Sequence, residues 1–129
     1  MKPSPFGQIC RNEYLASNEL AFAIWDRFPV SPGHALVVPF RVVGSWWETS
    51  NEERFALLAL IDDVRLVIGG QHSPGGYNIG LNIEETAGQT IDHVHIHVIP
   101  RYRGDVEDPR GGVRHVIPAK GNYLLDEKL

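Results

Sequence analysis

His93-Val94-His95-Ile96-His97-Val98 alternates histidine with branched apolar residues without a break. Strict period-2 alternation marks a half-buried strand, because successive strand side chains point to opposite faces. The pattern predicts a strand over residues 92–99. Val94, Ile96 and Val98 would turn into a core, with His93, His95 and His97 in a row on the other face. Three histidines in register over an unbroken apolar backing read as a built site.

Outward from this segment, short apolar runs alternate with turn chemistry. Residues 20–25 read as a strand, and Ser17-Asn18-Glu19 offers a turn across which a short strand at 13–16 can pair. Phe28-Pro29-Val30-Ser31-Pro32-Gly33 is a turn-rich connection into residues 34–39, a strand apolar enough to be buried on both faces. Ser50-Asn51-Glu52-Glu53 is a capping box, and Leu57, Leu58, Ile61, Val64 and Ile68 then recur at helical spacing. Gly69-Gly70 is the expected stop of this one long helix. A strand over 77–81, a loop over 83–90 and an irregular stretch after Pro100 complete the pattern. One long helix and about five strands, mostly in hairpin order, predict an α+β fold with an antiparallel sheet. The order of the strands is left open.

The 129 residues fit one domain, 1–129, with its core over about 8–103 and an irregular segment over 104–129. Apolar residues make up 43% and charged residues 22%, an ordinary globular composition. A formal charge of −4 argues against a nucleic-acid surface, which needs a basic stripe, but leaves room for a small anion in a local pocket. The single cysteine, Cys10, allows no intramolecular disulfide and no paired-cysteine zinc site. With no apolar signal segment and no run of ~20 apolar residues, the expected location is cytoplasmic, away from membranes.

Three chemistries compete for the histidines. Three histidines make a common catalytic zinc set. Along a straight strand, however, the Cα atoms of His93 and His97 lie ~13 Å apart, too far for one ion. Nucleophilic catalysis suits the row better: one neutral imidazole attacks phosphorus while its neighbours fix its tautomer and hydrogen-bond the phosphate oxygens. His95 is the natural attacker, with a histidine on either side. Ala87-Gly88-Gln89-Thr90 enters the strand with a bare backbone able to present N–H groups to an anion. The third possibility is a solvated polar strand face.

The run His93 to Ile99 resembles the His-φ-His-φ-His-φ-φ motif of the histidine triad family, φ being apolar. Asn82, the Ala87-Gly88-Gln89-Thr90 lead-in, Pro100-Arg101 and the stretch 22–34 extend the resemblance to roughly residues 20–103. It implies a HIT-like fold whose sheet continues across a homodimer. It also implies hydrolysis or transfer at the α-phosphate of nucleotides through a nucleotidyl-histidine intermediate. Carried onto this chain, His95 is the nucleophile and His93 and His97 are its flanking hydrogen-bonding partners. Asn82, Gln89 and Thr90, with the backbone at Gly88, contact phosphate. His34 joins the cluster, and Asp26 falls at the ribose-contacting position. Base contacts would be apolar packing by Phe6, Ile9, Leu20, Phe22 and Ile24. The third histidine, Gln89 and Gly104-Asp105-Val106 lean toward the dinucleoside polyphosphate hydrolase, fragile histidine triad-like branch. Phosphoramidase and nucleotidyl transferase or phosphorylase activities are the alternatives, and a nucleotide-binding regulator with vestigial activity is the alternative of another class. No metal is expected in the protein site, although Mg2+ can arrive with a polyphosphate substrate. The Cys-x-x-Cys zinc motif of many bacterial relatives is missing, because Arg11-Asn12-Glu13 follows Cys10. Trp46-Trp47 is read as packing, His72 and His115 as surface residues, and Arg110 and Arg114 as either solvated or folded back onto phosphate.

Overall fold

The computed structural model describes residues 3–125. Five strands form one sheet in the order β1-β2-β3-β5-β4, every neighbouring pair antiparallel. They are β1 (Ala16–Ser17), β2 (Ala21–Trp25), β3 (Ala35–Pro39), β4 (Gly76–Gly80) and β5 (Ile96–Arg101). The single α-helix among the described residues, α1 (Asn51–Gln71), lies on one face of the sheet. The expected strand at 13–16 shrinks to β1, because Arg11–Glu13 winds into a 3-10 turn.

Alternation along the central strands divides two cores. Ala21, Ala23, Ala35, Val37, Ile96 and Val98 face α1, which buries Leu57, Leu60, Val64 and Ile68 against them. Leu58 lies off this stripe and is exposed. On the opposite face Phe22, Ile24, Leu36 and Val38 are covered by the N-terminal segment through Phe6, Ile9 and Tyr14. The small residues on the α1 side let the helix approach closely, while the larger ones build the second layer.

α1 starts as its capping box requires. The Glu53 N–H donates to Ser50 Oγ at 3.0 Å, and the Ser50 N–H donates to Glu53 Oε1 at 2.8 Å. Glu53 is buried, and Arg41 Nη2 holds its Oε1 at 2.7 Å. The expected stop at Gly69-Gly70 is overridden: the helix runs through both glycines to Gln71, and the His72 N–H donates to the Ile68 carbonyl at 2.8 Å. His72 packs edge-on to Trp25 and beside Gly33, so tertiary contact outweighs the ~1 kcal/mol propensity cost of each glycine. Gly33 itself has φ +85°, and a Cβ there would come within 3.0 Å of the His72 ring. That backbone turn delivers His34 to the start of β3.

The histidine strand is shorter than its pattern. β5 begins at Ile96, and residues 91–95 bend out of the ladder. The Val94 N–H donates to the Val43 carbonyl at 2.8 Å instead of joining a neighbouring strand. Val94, Ile96 and Val98 are buried as expected, but of the three histidines only His97 lies within β5. His93 is 1% exposed, inside the protein. Among the described residues no helix is long and apolar enough to cross a membrane.

Candidate active site

His97 stands on β5 opposite Leu36 of β3, on the sheet face away from α1. His34 precedes β3 and meets it: His34 Nε2 is 2.9 Å from His97 Nδ1. The Val30 N–H donates to His34 Nδ1 at 3.1 Å, so the hydrogen-bond network assigns the His34 proton to Nε2. That proton is shared with His97 Nδ1 and with Asp26 Oδ2, 3.3 Å away. The His97 proton then sits on Nε2. Burial pushes His97 down to about 4, reinforced by the neighbouring His95 and His34 rings and opposed by Asp26. Burial likewise lowers His34 against the pull of Asp26. Asp26 Oδ1 meanwhile accepts the Phe28 N–H at 2.8 Å.

Asp26, His34 and His97 place one potential ligand atom each within 4.8 Å of one another. For His34 to ligate through Nε2, its proton would have to move to Nδ1, where the Val30 N–H already points. The trio therefore fits a hydrogen-bonded cluster better than a preformed metal centre.

His95 sits just before β5. Its Nδ1–H donates to the main-chain carbonyl of His93 at 2.8 Å, which leaves Nε2 unengaged among the described residues. His95 and His97 meet edge to face, ring centroids 5.2 Å apart. His93 does not flank His95 through its ring, as the alternation implied. Its Nε2–H donates to the Pro39 carbonyl at 2.7 Å, its Nδ1 faces Ser4 Oγ, and only its carbonyl reaches His95. Burial lowers His93 as well. Phe6 fills the space between the two rings.

His95 and His97 open into a cavity of about 380 Å³. Phe6, Ile9, Ile24 and Leu36 form its apolar side, and Asp26, Asn82, Gly88 and Thr90 bring polar groups to it. Leu20 and Phe22, expected among the base contacts, are elsewhere: Leu20 is partly exposed and Phe22 stacks on Tyr14. Gly88, at φ +99°, closes a 3-10 turn (Glu85–Ala87) in the loop that rims the cavity.

Gln89, expected to contact phosphate, engages its side chain within the loop. Its amide Nε2 donates to the carbonyls of Gly44 (2.6 Å) and Ile91 (2.9 Å), and its Oε1 accepts the Glu84 N–H (2.9 Å). The side chain is consumed in bracing the loop. Glu84, at φ +72°, is the one described non-glycine residue with positive φ, and Ser45 Oγ donates to its carboxylate at 2.8 Å. Trp46 takes the Arg54 guanidinium over its ring at 4.9 Å, whereas Trp47 is exposed. His115 is exposed, and His72 is the partly buried C-cap of α1. Arg110 pairs with Asp108, and Arg114 donates to the Gly121 and Lys120 carbonyls; neither lines the cavity.

The HIT domain family model matches residues 10–104. The chain belongs to the HIT family. A HIT family protein from Bacillus anthracis shares the fold at a TM-score of 0.70 and 30% identity, over 78% of this chain and 70% of that one. An AP-4-A phosphorylase of Mycobacterium tuberculosis is 36% identical over 92 residues, 70% of this chain and 47% of its own length. A bis(5'-adenosyl)-triphosphatase of Dictyostelium discoideum is 35% identical over 100 residues, 78% of this chain and 67% of its own. The match thus spans about half the length of the mycobacterial relative. Within this HIT chain, sequence reasoning missed Ser4, the Gln89–Glu84 brace and the Val30 N–H. Ser4 carries no motif, and the other two depend on backbone groups that side-chain patterns do not report.

Proposed function

We propose that the chain hydrolyses nucleotides at the α-phosphate, with dinucleoside polyphosphates as substrates and His95 as the nucleophile. The observation that carries this reading is the unengaged His95 Nε2 at a nucleotide-sized cavity, with Nδ1–H committed to the His93 carbonyl. Nucleophilic imidazole needs one nitrogen bare and the other held. At about 380 Å³ the cavity lies at the small end of ligand pockets and suits one nucleoside monophosphate half, its base against Phe6, Ile9 and Ile24.

In the first step the His95 Nε2 lone pair attacks the α-phosphorus. The bond from phosphorus to the leaving oxygen breaks, and its electrons depart with the remaining phosphates and second nucleoside. The substituted ring is now cationic, so the bond from Nδ1–H to the His93 carbonyl becomes charge-assisted and stronger. The His97 Nε2–H and the polar groups at Asn82 and Thr90 would face the charge on the non-bridging oxygens, preorganised donors of the kind worth several kcal/mol. Water then attacks phosphorus, the P–N bond returns its electrons to Nε2, and the water proton is released. A divalent ion enters this scheme only with the polyphosphate.

The name of the mycobacterial relative favours a second reading, in which inorganic phosphate replaces water in the second step. The test is a product panel on dinucleoside polyphosphates and adenosine phosphoramidate, with and without added phosphate, beside acid-quench trapping of α-labelled nucleotide. Nucleoside monophosphate and label on His95 support hydrolysis. Nucleoside diphosphate appearing only with phosphate supports phosphorolysis. Tight nucleotide binding without turnover would mark a regulator. Label on another side chain ends the assignment.

The homodimer implied by the family belongs to the same proposal. Among the described residues β4 is an outer strand with no neighbour on its second edge, and Ile79 on it is 45% exposed. Sedimentation at a monomer mass across the micromolar range would contradict it.

A further inference from the structure

The N-terminal segment ends its path at the histidines. Ser4 Oγ lies 2.6 Å from His93 Nδ1, joining residues 89 positions apart. Ser4 is 7% exposed and His93 1%, so solvent cannot substitute for either partner. The direction of each bond follows from the chemistry. The Pro39 carbonyl can only accept, so the His93 proton is on Nε2 and Nδ1 offers a lone pair. The Ser4 hydroxyl donates to that lone pair, while Ser4 Oγ accepts the Phe6 N–H at 3.2 Å. The His93 ring is thereby gripped at both nitrogens.

The grip matters because His93 lies outside the sheet. β5 begins only at Ile96, so no strand ladder holds the carbonyl that orients His95. Two bonds to the His93 ring and the Val94 N–H to the Val43 carbonyl do so instead. Phe6, two residues after Ser4, lies against both rings, its centroid 5.6 Å from His93 and 5.1 Å from His95.

We propose that Ser4 is a positioning residue: its hydroxyl locks the buried His93 ring and, through the His93 carbonyl, sets the tautomer and aim of His95. This rests on His95 acting as the nucleophile. A residue that only stabilised the fold would alter the melting temperature. A positioning residue alters kcat and the His95 tautomer while leaving KM little changed.

The test compares the full chain with Ser4→Ala and Ser4→Thr, reading steady-state kinetics on diadenosine tetraphosphate and histidine tautomers by 15N NMR. The expected native spectrum has His93 protonated at Nε2 and His95 at Nδ1. Ser4→Ala should lower kcat about 10- to 100-fold, the scale known for partners that orient metal-binding histidines, and mix the His95 tautomers. Ser4→Thr, which keeps the hydroxyl, should restore both. Unchanged kcat in Ser4→Ala overturns the proposal, as does lost activity with an unaltered His95 signal. If Ser4→Ala fails to fold, the native spectrum and Ser4→Thr decide: a native His93 protonated at Nδ1, or a folded Ser4→Thr as impaired as a deletion of the hydroxyl should be, overturns it. An active native enzyme indifferent to Ser4→Ala sinks this inference alone; a native chain inert on nucleotides sinks the function it rests on.

Discussion

His34 and His97 meet ring to ring, His34 Nε2 2.9 Å from His97 Nδ1, and Asp26 Oδ2 stands 3.3 Å from the same His34 nitrogen. With the Val30 N–H on the far side of His34, proton positions in this pair run one way: His34 donates, and His97 keeps its own proton on Nε2. A second proton on His97 would have to face the His34 Nε2–H. The same contact that orients His97 thus disfavours charging it.

Stability should therefore depend on pH. His97 titrates at about 4 in the folded protein, against about 6.5 in an unfolded chain. Between those values the unfolded chain takes up a proton that the folded chain refuses, so stability falls as pH drops from 6.5 toward 4 and is fully present above 6.5. One such group costs up to about 1.4 kcal/mol per pH unit. His34 and His93, also lowered by burial, act in the same direction. Thermal unfolding from pH 4 to 7 should show the slope, and His97→Gln should reduce it; an equal slope in the variant would rule out His97 as a contributor.

Removing the ring also tests its donor role. His97→Ala should lower kcat about 100-fold, the scale for losing one preorganised donor at a charged transition state. Under the proposed function, with the base held on the apolar side of the cavity, substrate affinity should change less. Kinetics in which KM rises while kcat is preserved would place His97 in ground-state binding instead.

Gln89 gives a contrast between bracing and direct contact. Its Oε1 holds the N–H of Glu84, a residue in a conformation that non-glycine residues avoid, while its Nε2 ties the Gly44 and Ile91 carbonyls. Gln89→Ala should cost on the order of 1–3 kcal/mol of stability, the penalty for stranding partly buried backbone groups. Gln89→Glu should be at least as damaging, because a carboxylate would face the Gly44 and Ile91 carbonyls. Denaturant unfolding checks both. A residue that only touched phosphate would leave stability unchanged.

Arg41→Ala should destabilise through Glu53 rather than through itself. Arg41 is mostly exposed, but it closes two bonds, at 2.7 and 3.0 Å, on a carboxylate whose side chain is 6% exposed. The Arg41 bond is also the main cause holding Glu53 below the usual carboxylate range. The loss should be largest at neutral pH and shrink in acid as the stranded carboxyl takes up a proton. Urea titrations at pH 7 and pH 4.5 measure the difference.

The elements with strong local signals were legible. The capping box at Ser50 and Glu53, the apolar spacing of α1 and the apolar runs of β2 and β3 depend on neighbours within a few residues. Their structure follows because local propensity and burial agree. Errors fell where distant contacts overrule the local pattern. Gly69-Gly70 should end a helix, but His72 packing on Trp25 and Gly33 carries it further. His93 should lie on an exposed strand face, but Ser4, Pro39 and Val43 draw the segment inward before β5 begins.

The division at the histidines is the same. The sequence by itself determined that alternating apolar residues would turn Ile96 and Val98 into a core and that imidazoles would gather beside it, since strand geometry makes side-chain direction a matter of parity. What each imidazole does was decided by tertiary structure alone. One is buried as a brace, one is held by a carbonyl, and one is paired with His34, because hydrogen-bond partners arrive from residues 4, 30 and 39, and no spacing along the chain encodes where those will stand.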